Sequence, residues 1–258
     1  MSFEAENYIS VSLSVKPSTE PRRMEHEQMI TAVIFDMDGT LVNFNFDYKT
    51  VRAEVIRLLV EQGFPSSIFS IRESIFEMLK KAEIYMKNNG RGEREVARVK
   101  EEVLSMVDRH ELEAARSTNL LPGVLETLKV LKKTGLKMAV FTLSGEKSTD
   151  HILRSFRLTP FFDAVVTRES ALAVKPDSTH LETVLKKLNV EPNEAIVVGD
   201  GVSDMKCARE LNVIAVGVTT GISSPKELTR AGANYLASSC TDLPILVQQL
   251  NKQNLKDI

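Results

Sequence analysis

Apolar residues recur along this chain at two different periods, and the contrast divides it into two kinds of segment. Residues 30–35 (Ile30-Thr31-Ala32-Val33-Ile34-Phe35), 136–141, 164–166, 195–198 and 213–218 are short, nearly unbroken apolar runs. Such runs read as strands buried on both faces of a parallel sheet. Between them lie helical stripes: Val124, Leu125, Leu128 and Leu131; Leu181, Val184, Leu185 and Leu188; Met205, Ala208 and Leu211; and a last helix over about 241–250. Strand–helix alternation of this kind predicts right-handed crossovers and a doubly wound α/β sheet.

The first strand is not followed by the second. Residues 46–118 carry helical periodicity instead, with one stripe at Ile71, Ile75, Met78, Leu79 and Ala82 and another at Val96, Val99, Val103, Met106 and Val107. A shorter helix is predicted from Asp47 to Glu61, ended by Gly63 and Pro65, and Asn88-Asn89-Gly90-Arg91-Gly92 marks a turn. Thirteen acidic and thirteen basic residues fall between 47 and 116, so the insertion is neutral but highly charged. Most of these charges read as solvated helix faces, with Arg52, Arg91 and Arg94 as candidate anion contacts. An inserted set of helices of this size predicts a lid that excludes water and selects substrates. Ahead of the first strand, residues 1–28 are polar. Ile9, Val11, Leu13 and Val15 alternate there with Ser10, Ser12, Ser14 and Lys16, the pattern of an edge strand, but Pro17, Pro21 and the charged run 22–27 break it. A poorly ordered extension is expected.

Composition narrows the function. The chain has 258 residues, a net charge of −2 and a pI near 6.2, so no basic field invites nucleic acid or a membrane surface. Cys207 and Cys240 are the only cysteines and form no CxxC pair, which argues against a disulfide framework or a zinc site and fits a reducing cytoplasm. Glu4 and Glu6 stand where a signal peptide would carry positive charge.

The chemistry collects at the strand ends, where open α/β sheets bind ligands. Asp36 and Asp38 follow the first strand, with Gly39 for the turn and Thr40 for a hydroxyl. Two carboxylates so close repel unless a cation or a shared proton relieves them, and Mg²⁺, which prefers oxygen and keeps waters for a phosphate to replace, suits the pair. One carboxylate can then attack phosphorus while the other handles the proton. Thr142-Leu143-Ser144-Gly145 offers a hydroxyl and free amides at a helix start, Lys175-Pro176-Asp177 a cation, and Gly199-Asp200-Gly201-Val202-Ser203-Asp204 two more carboxylates. Each has an ordinary explanation: a solvated turn, a helix cap, a surface lysine, a first-turn acid. The ordered set of four does not.

In that order these residues resemble the haloacid dehalogenase (HAD) superfamily of phosphotransferases over about 29–250. The resemblance implies a doubly wound, parallel-sheet, Rossmann-like α/β core (29–45 and 119–258) with an inserted small α-helical cap domain of C1 type (46–118). It implies Asp36 as the nucleophile that becomes an aspartyl-phosphate, Asp38 as general acid and base, and Thr142 and Lys175 as phosphoryl-binding groups. Mg²⁺ would be held by Asp36, the Asp38 backbone carbonyl and Asp200, with Asp204 as a further ligand or an orienting group, and with Gly39, Thr40, Leu143 and Ser144 at the substrate. Two positions depart from the family's pattern: Leu143 replaces a common asparagine, and Asn43-Phe44-Asn45-Phe46-Asp47 replaces a common Asp-Ser pair. Asp38 favours phosphoryl transfer over carbon–halogen hydrolysis. The expectation is a cytoplasmic, Mg²⁺-dependent, phosphoglycolate phosphatase-like enzyme acting on a small phosphorylated metabolite, without nucleic-acid or membrane partners, as a monomer or homodimer. A phosphomutase of the β-phosphoglucomutase type and a non-catalytic phosphate sensor are the alternatives.

Overall fold

A computed structural model describes residues 29–43 and 46–254. The edge-strand pattern over residues 9–15 lies outside the described residues. The described chain divides into two compact units, residues 29–43, 120–143 and 158–254 in one and 46–119 with 144–157 in the other.

The first unit is the α/β sheet. Its strands are β1 (Ala32–Phe35), β4 (Lys137–Phe141), β5 (Ala164–Val166), β6 (Ala195–Gly199), β7 (Ile214–Val218) and β8 (Tyr235–Ala237), ordered β5-β4-β1-β6-β7-β8 and all parallel. β1 occupies the centre because it can: Ala32, Val33, Ile34 and Phe35 are wholly buried, so neither face needs water. The register aligns Phe35 with Val140 on one side and Val198 on the other, bringing the three strand ends level. α4 (Val124–Lys133), α6 (Thr179–Leu188), α7 (Val202–Glu210), α8 (Pro225–Ala231) and α9 (Leu243–Asn254) belong to this unit. Leu181, Val184, Leu185 and Leu188 of α6 and Met205 and Ala208 of α7 pack with Ile34, Phe141 and Val197 in one core cluster. Burial of each large apolar side chain contributes roughly 1.5–3 kcal/mol. β8 was not legible as a strand; only its last residue is fully buried.

The chain leaves the sheet unit through β2 (Val42–Asn43) and returns at β3 (Asn119–Leu120), with the Leu121 amide donating to the Leu41 carbonyl at 3.0 Å. The second unit is helical: α1 (Tyr48–Glu61), α2 (Ile75–Asn88), α3 (Glu93–Arg116) and α5 (Glu146–Ser155). Its core gathers Val55, Leu59, Phe64, Met78, Met86 and Val103. Asp47 caps α1, accepting from the Lys49 and Thr50 amides. The stripe expected to begin at Ile71 begins instead at Ile75. Ser74 and Glu77 form a reciprocal capping box that starts α2 there, leaving Ile71 in a turn and exposed. Residues 144–157, expected with the sheet, group with these helices, α5 lying on α3. Of the candidate anion contacts, Arg52 lies over the Tyr48 ring and Arg91 over the Phe64 ring, each 5.7 Å from the centroid, and Arg94 is exposed.

Candidate active site

At the carboxyl end of the sheet, β1 stops at Phe35 and the next residues turn sharply. The Gly39 amide donates to the Val42 carbonyl at 2.8 Å, and the Leu41 amide to the Met37 carbonyl at 2.9 Å. Gly39 takes φ +79°, a conformation a β-carbon would strain. This turn leaves Asp36 buried and Asp38 half-buried, its backbone bridged to Val42.

Three further loops converge on Asp36. Lys175 is buried ahead of α6, and its Nζ donates to Asp36 Oδ1 at 2.5 Å, Asp204 Oδ1 at 2.7 Å and the Phe141 carbonyl at 3.0 Å. The same ammonium sits 4.1 Å from the centre of the Phe141 ring. Thr142, the next residue, is fully buried, and its amide continues the ladder to the Val166 carbonyl. Carboxylate oxygens of Asp36, Asp200 and Asp204 all lie within 4.8 Å of one another. Asp204 spends both oxygens on protein donors, Oδ1 on Lys175 and Oδ2 on the Gly201 amide at 3.0 Å. Thr40 turns its hydroxyl to Asp200 Oδ1 at 3.5 Å.

Glycine makes this crowding of acids possible. A β-carbon on Gly39 would come 2.8 Å from the Asp200 carboxylate, and one on Gly221 would overlap it. Gly199 and Gly201 stand in the same relation to Asp204. Each carboxylate therefore sits in a slot that any side chain would fill.

Burial dominates the electrostatics. It raises the Asp36 carboxyl to about 6, with Lys175 opposing and Asp200 adding to the rise. Asp204 is likewise raised to about 6 by burial, against the pull of Lys175. Asp200 is raised by burial and then by Asp204. Burial alone would lower Lys175, but Asp204 and Asp36 overcome it and hold the ammonium charged. Three buried carboxylates share one lysine, so the cluster is short of positive charge. An oxygen-only donor set, buried and mutually repelling, fits a hard divalent cation, whose charge would favour all three ionised forms.

Asp36, Gly39, Thr40, Thr142, Lys175, Asp200 and Asp204 thus share one sheet edge. Leu143 and Ser144 follow on the loop after β4. Leu143 offers its carbonyl to Arg168 Nη1 at 3.0 Å, and Ser144 groups with the helical unit. Arg168, buried two residues past β5, escaped notice in the sequence, although a basic residue just beyond an apolar run is the available signal. Glu111 escaped it too. This buried acid of α3 accepts from the Gly145 amide at 2.9 Å and the Ser148 hydroxyl at 3.4 Å, tying α3 to the start of α5.

Residues 33–218 match the haloacid dehalogenase-like hydrolase family. The chain is 28% identical over 217 residues to phosphoglycolate phosphatase 1 of Pseudomonas aeruginosa, covering 82% of this chain and 77% of that protein. It is 27% identical over 228 residues to the pyrophosphatase PpaX of Listeria welshimeri, covering 85% and 97%. Among solved structures it resembles a β-phosphoglucomutase from Clostridium difficile, with a TM-score of 0.64, 20% identity, and coverage of 88% of this chain and all of that one. At that identity the likeness concerns the fold.

Proposed function

The chain belongs to the haloacid dehalogenase-like hydrolases, and from that membership and its site we propose a Mg²⁺-dependent phosphatase that hydrolyses a small phosphorylated metabolite through an aspartyl-phosphate on Asp36. The observation that carries this is the Lys175 ammonium between Asp36 and Asp204, with Asp200 beside them. Relatives named as phosphoglycolate phosphatases support a phosphoglycolate-like substrate, with a sugar phosphate as the alternative.

In this reading Lys175 holds Asp36 Oδ1, so the other carboxylate oxygen attacks phosphorus in line with the leaving alcohol. The bond from phosphorus to the alcohol oxygen breaks as the Asp36–phosphorus bond forms, and Asp38 gives its proton to that oxygen. Asp38, now ionised, takes a proton from the water that attacks the aspartyl-phosphate, which releases inorganic phosphate and restores Asp36. Thr142 and Lys175 hold the transferring oxygens. Asp36, Asp200 and the Asp38 carbonyl would hold Mg²⁺, which when bound neutralises phosphoryl charge. Asp204, with both oxygens engaged, chiefly orients Lys175.

Residues 46–118 are proposed as the substrate-selecting cap domain. The near-neutral charge supports a small metabolite over nucleic acid or a membrane surface, and the two free, buried cysteines support a cytoplasmic setting, with the protein a monomer or homodimer. No helix among the described residues is long and apolar enough to cross a membrane.

The test is phosphate release from a panel of phosphorylated metabolites, pyrophosphate and an aryl phosphate, with and without Mg²⁺. Turnover of at least one phosphomonoester, abolished in a folded Asp36→Asn variant, is expected. Full activity in that variant sinks the mechanism, and conversion of a sugar phosphate to its isomer without phosphate release makes the protein a mutase.

A further inference from the structure

The segment after β7, Thr219-Thr220-Gly221-Ile222, holds no titratable side chain, yet it touches the acidic cluster at three points. The Ile222 amide donates to Asp200 Oδ2 at 2.8 Å. The Thr220 hydroxyl donates to the Gly39 carbonyl at 2.5 Å, on the turn that carries Asp38. Gly221 lies flat against the Asp200 side chain: a β-carbon there would overlap the carboxylate and fall 2.6 Å from the Asp200 β-carbon. Gly39 faces the same gap from the other side, its own β-carbon position 3.0 Å from Gly221 Cα. The Asp200 carboxylate is thus sandwiched between two glycines, with one oxygen fixed by an amide.

We propose that Thr220 and Gly221 are positioning residues for the reaction. Gly221 leaves the slot in which Asp200 takes its cation-binding orientation, and Thr220 locks the Asp38–Gly39 turn against that slot. The proposal rests on reading Asp200 as a ligand of a divalent cation. Physically it follows from packing. Gly221 lies on an exposed loop hard against a buried carboxylate, so an added methyl forces Asp200 to rotate away or the loop to withdraw its Ile222 amide. Groups that orient a metal ligand are worth about ten- to a hundredfold in metal affinity or activity.

Binding of Mn²⁺ to the full-length protein, followed by the paramagnetic resonance of the free ion, tests this without relying on turnover. Gly221→Ala is expected to weaken Mn²⁺ binding and raise the Mg²⁺ concentration for half-activation by about tenfold or more. Thr220→Val is expected to lower kcat several-fold, and Thr220→Ser, which keeps the hydroxyl, to restore it. A residue with only a structural role would change the metal-free melting temperature and leave the metal constants alone. Wild-type Mn²⁺ affinity in Gly221→Ala, or equal kcat in the Val and Ser variants at position 220, overturns the proposal. Should Gly221→Ala fail to fold, the Thr220 pair decides. A wild-type protein that binds no Mn²⁺ and releases no phosphate defeats the underlying reading, and this proposal with it.

Discussion

The Lys175 ammonium lies 2.5 Å from Asp36 and 2.7 Å from Asp204, so one buried cation holds together two acids that are 168 residues apart in the chain. Neither side chain exposes more than a tenth of its surface, and the pairing is what permits two carboxylates to stay so close.

Lys175→Met removes the shared charge and leaves both acids buried without it. We expect a loss of about 3–5 kcal/mol in stability, the usual cost of breaking a buried pair, and turnover lower by at least about a hundredfold. Without the lysine both carboxyls rise above their wild-type values of about 6, so the deficit shrinks as pH falls from 8 towards 6, where the variant's acids are already protonated. Denaturant unfolding at pH 5 and pH 8 checks this, and a deficit independent of pH counts against it.

Asp38→Asn keeps a hydrogen-bonding group of the same size and loses proton transfer. For alkyl phosphates kcat should fall about 10²–10⁴-fold. An aryl phosphate with a good leaving group needs no acid, so it should still phosphorylate Asp36 and then stall. A stoichiometric burst of the phenol, followed by slow steady state, is the expected trace.

Chelation should act on stability as well as on rate. A cation at a hundred times its dissociation constant stabilises by about 2.7 kcal/mol, so EDTA should lower the melting temperature by several degrees and stop phosphate release. In Asp200→Asn the Mg²⁺-dependent rise in melting temperature should vanish. A rise of wild-type size in that variant places the cation elsewhere.

His180 gives a pH signature of its own. Its ring is buried against Phe141, and the Lys175 amide donates to its Nδ1 at 3.3 Å. Burial, and then the Lys175 charge, lower its pKa from 6.5 to about 4. The folded state therefore binds fewer protons than the unfolded chain across that interval. The stability His180 contributes is complete above pH 6.5 and is lost as pH falls towards 4, by up to roughly 3 kcal/mol. Asp36 and Asp204, with raised values, act in the opposite sense over about pH 4–6. Comparison of wild type with His180→Gln isolates the histidine: the variant should lose less stability, or gain some, between pH 6.5 and 4. Parallel curves for the two proteins exclude the effect.

Much of this was legible before any coordinates. Strands with both faces apolar at 32–35 and 195–199 have only the interior of a parallel sheet to go to, and polar residues at their ends must then lie at one edge. Local chemistry also marked a helix start, as Asp47 does for α1. Apolar periodicity misplaced the start of α2 by running on through Ile71, where the capping box at Ser74 sets the boundary.

What lay beyond the sequence was whatever depends on which loop meets which. Nothing near Gly221 in the chain says that its missing β-carbon makes room for an acid 21 residues earlier, and nothing near Arg168 points to the Leu143 carbonyl. Nor does the sequence of α3 show that Glu111 binds the amide of Gly145, 34 residues later, at the start of α5. Periodicity and capping act within a few residues, so a sequence carries them openly. The partners of a buried charge, and the space around it, exist only once distant segments have packed.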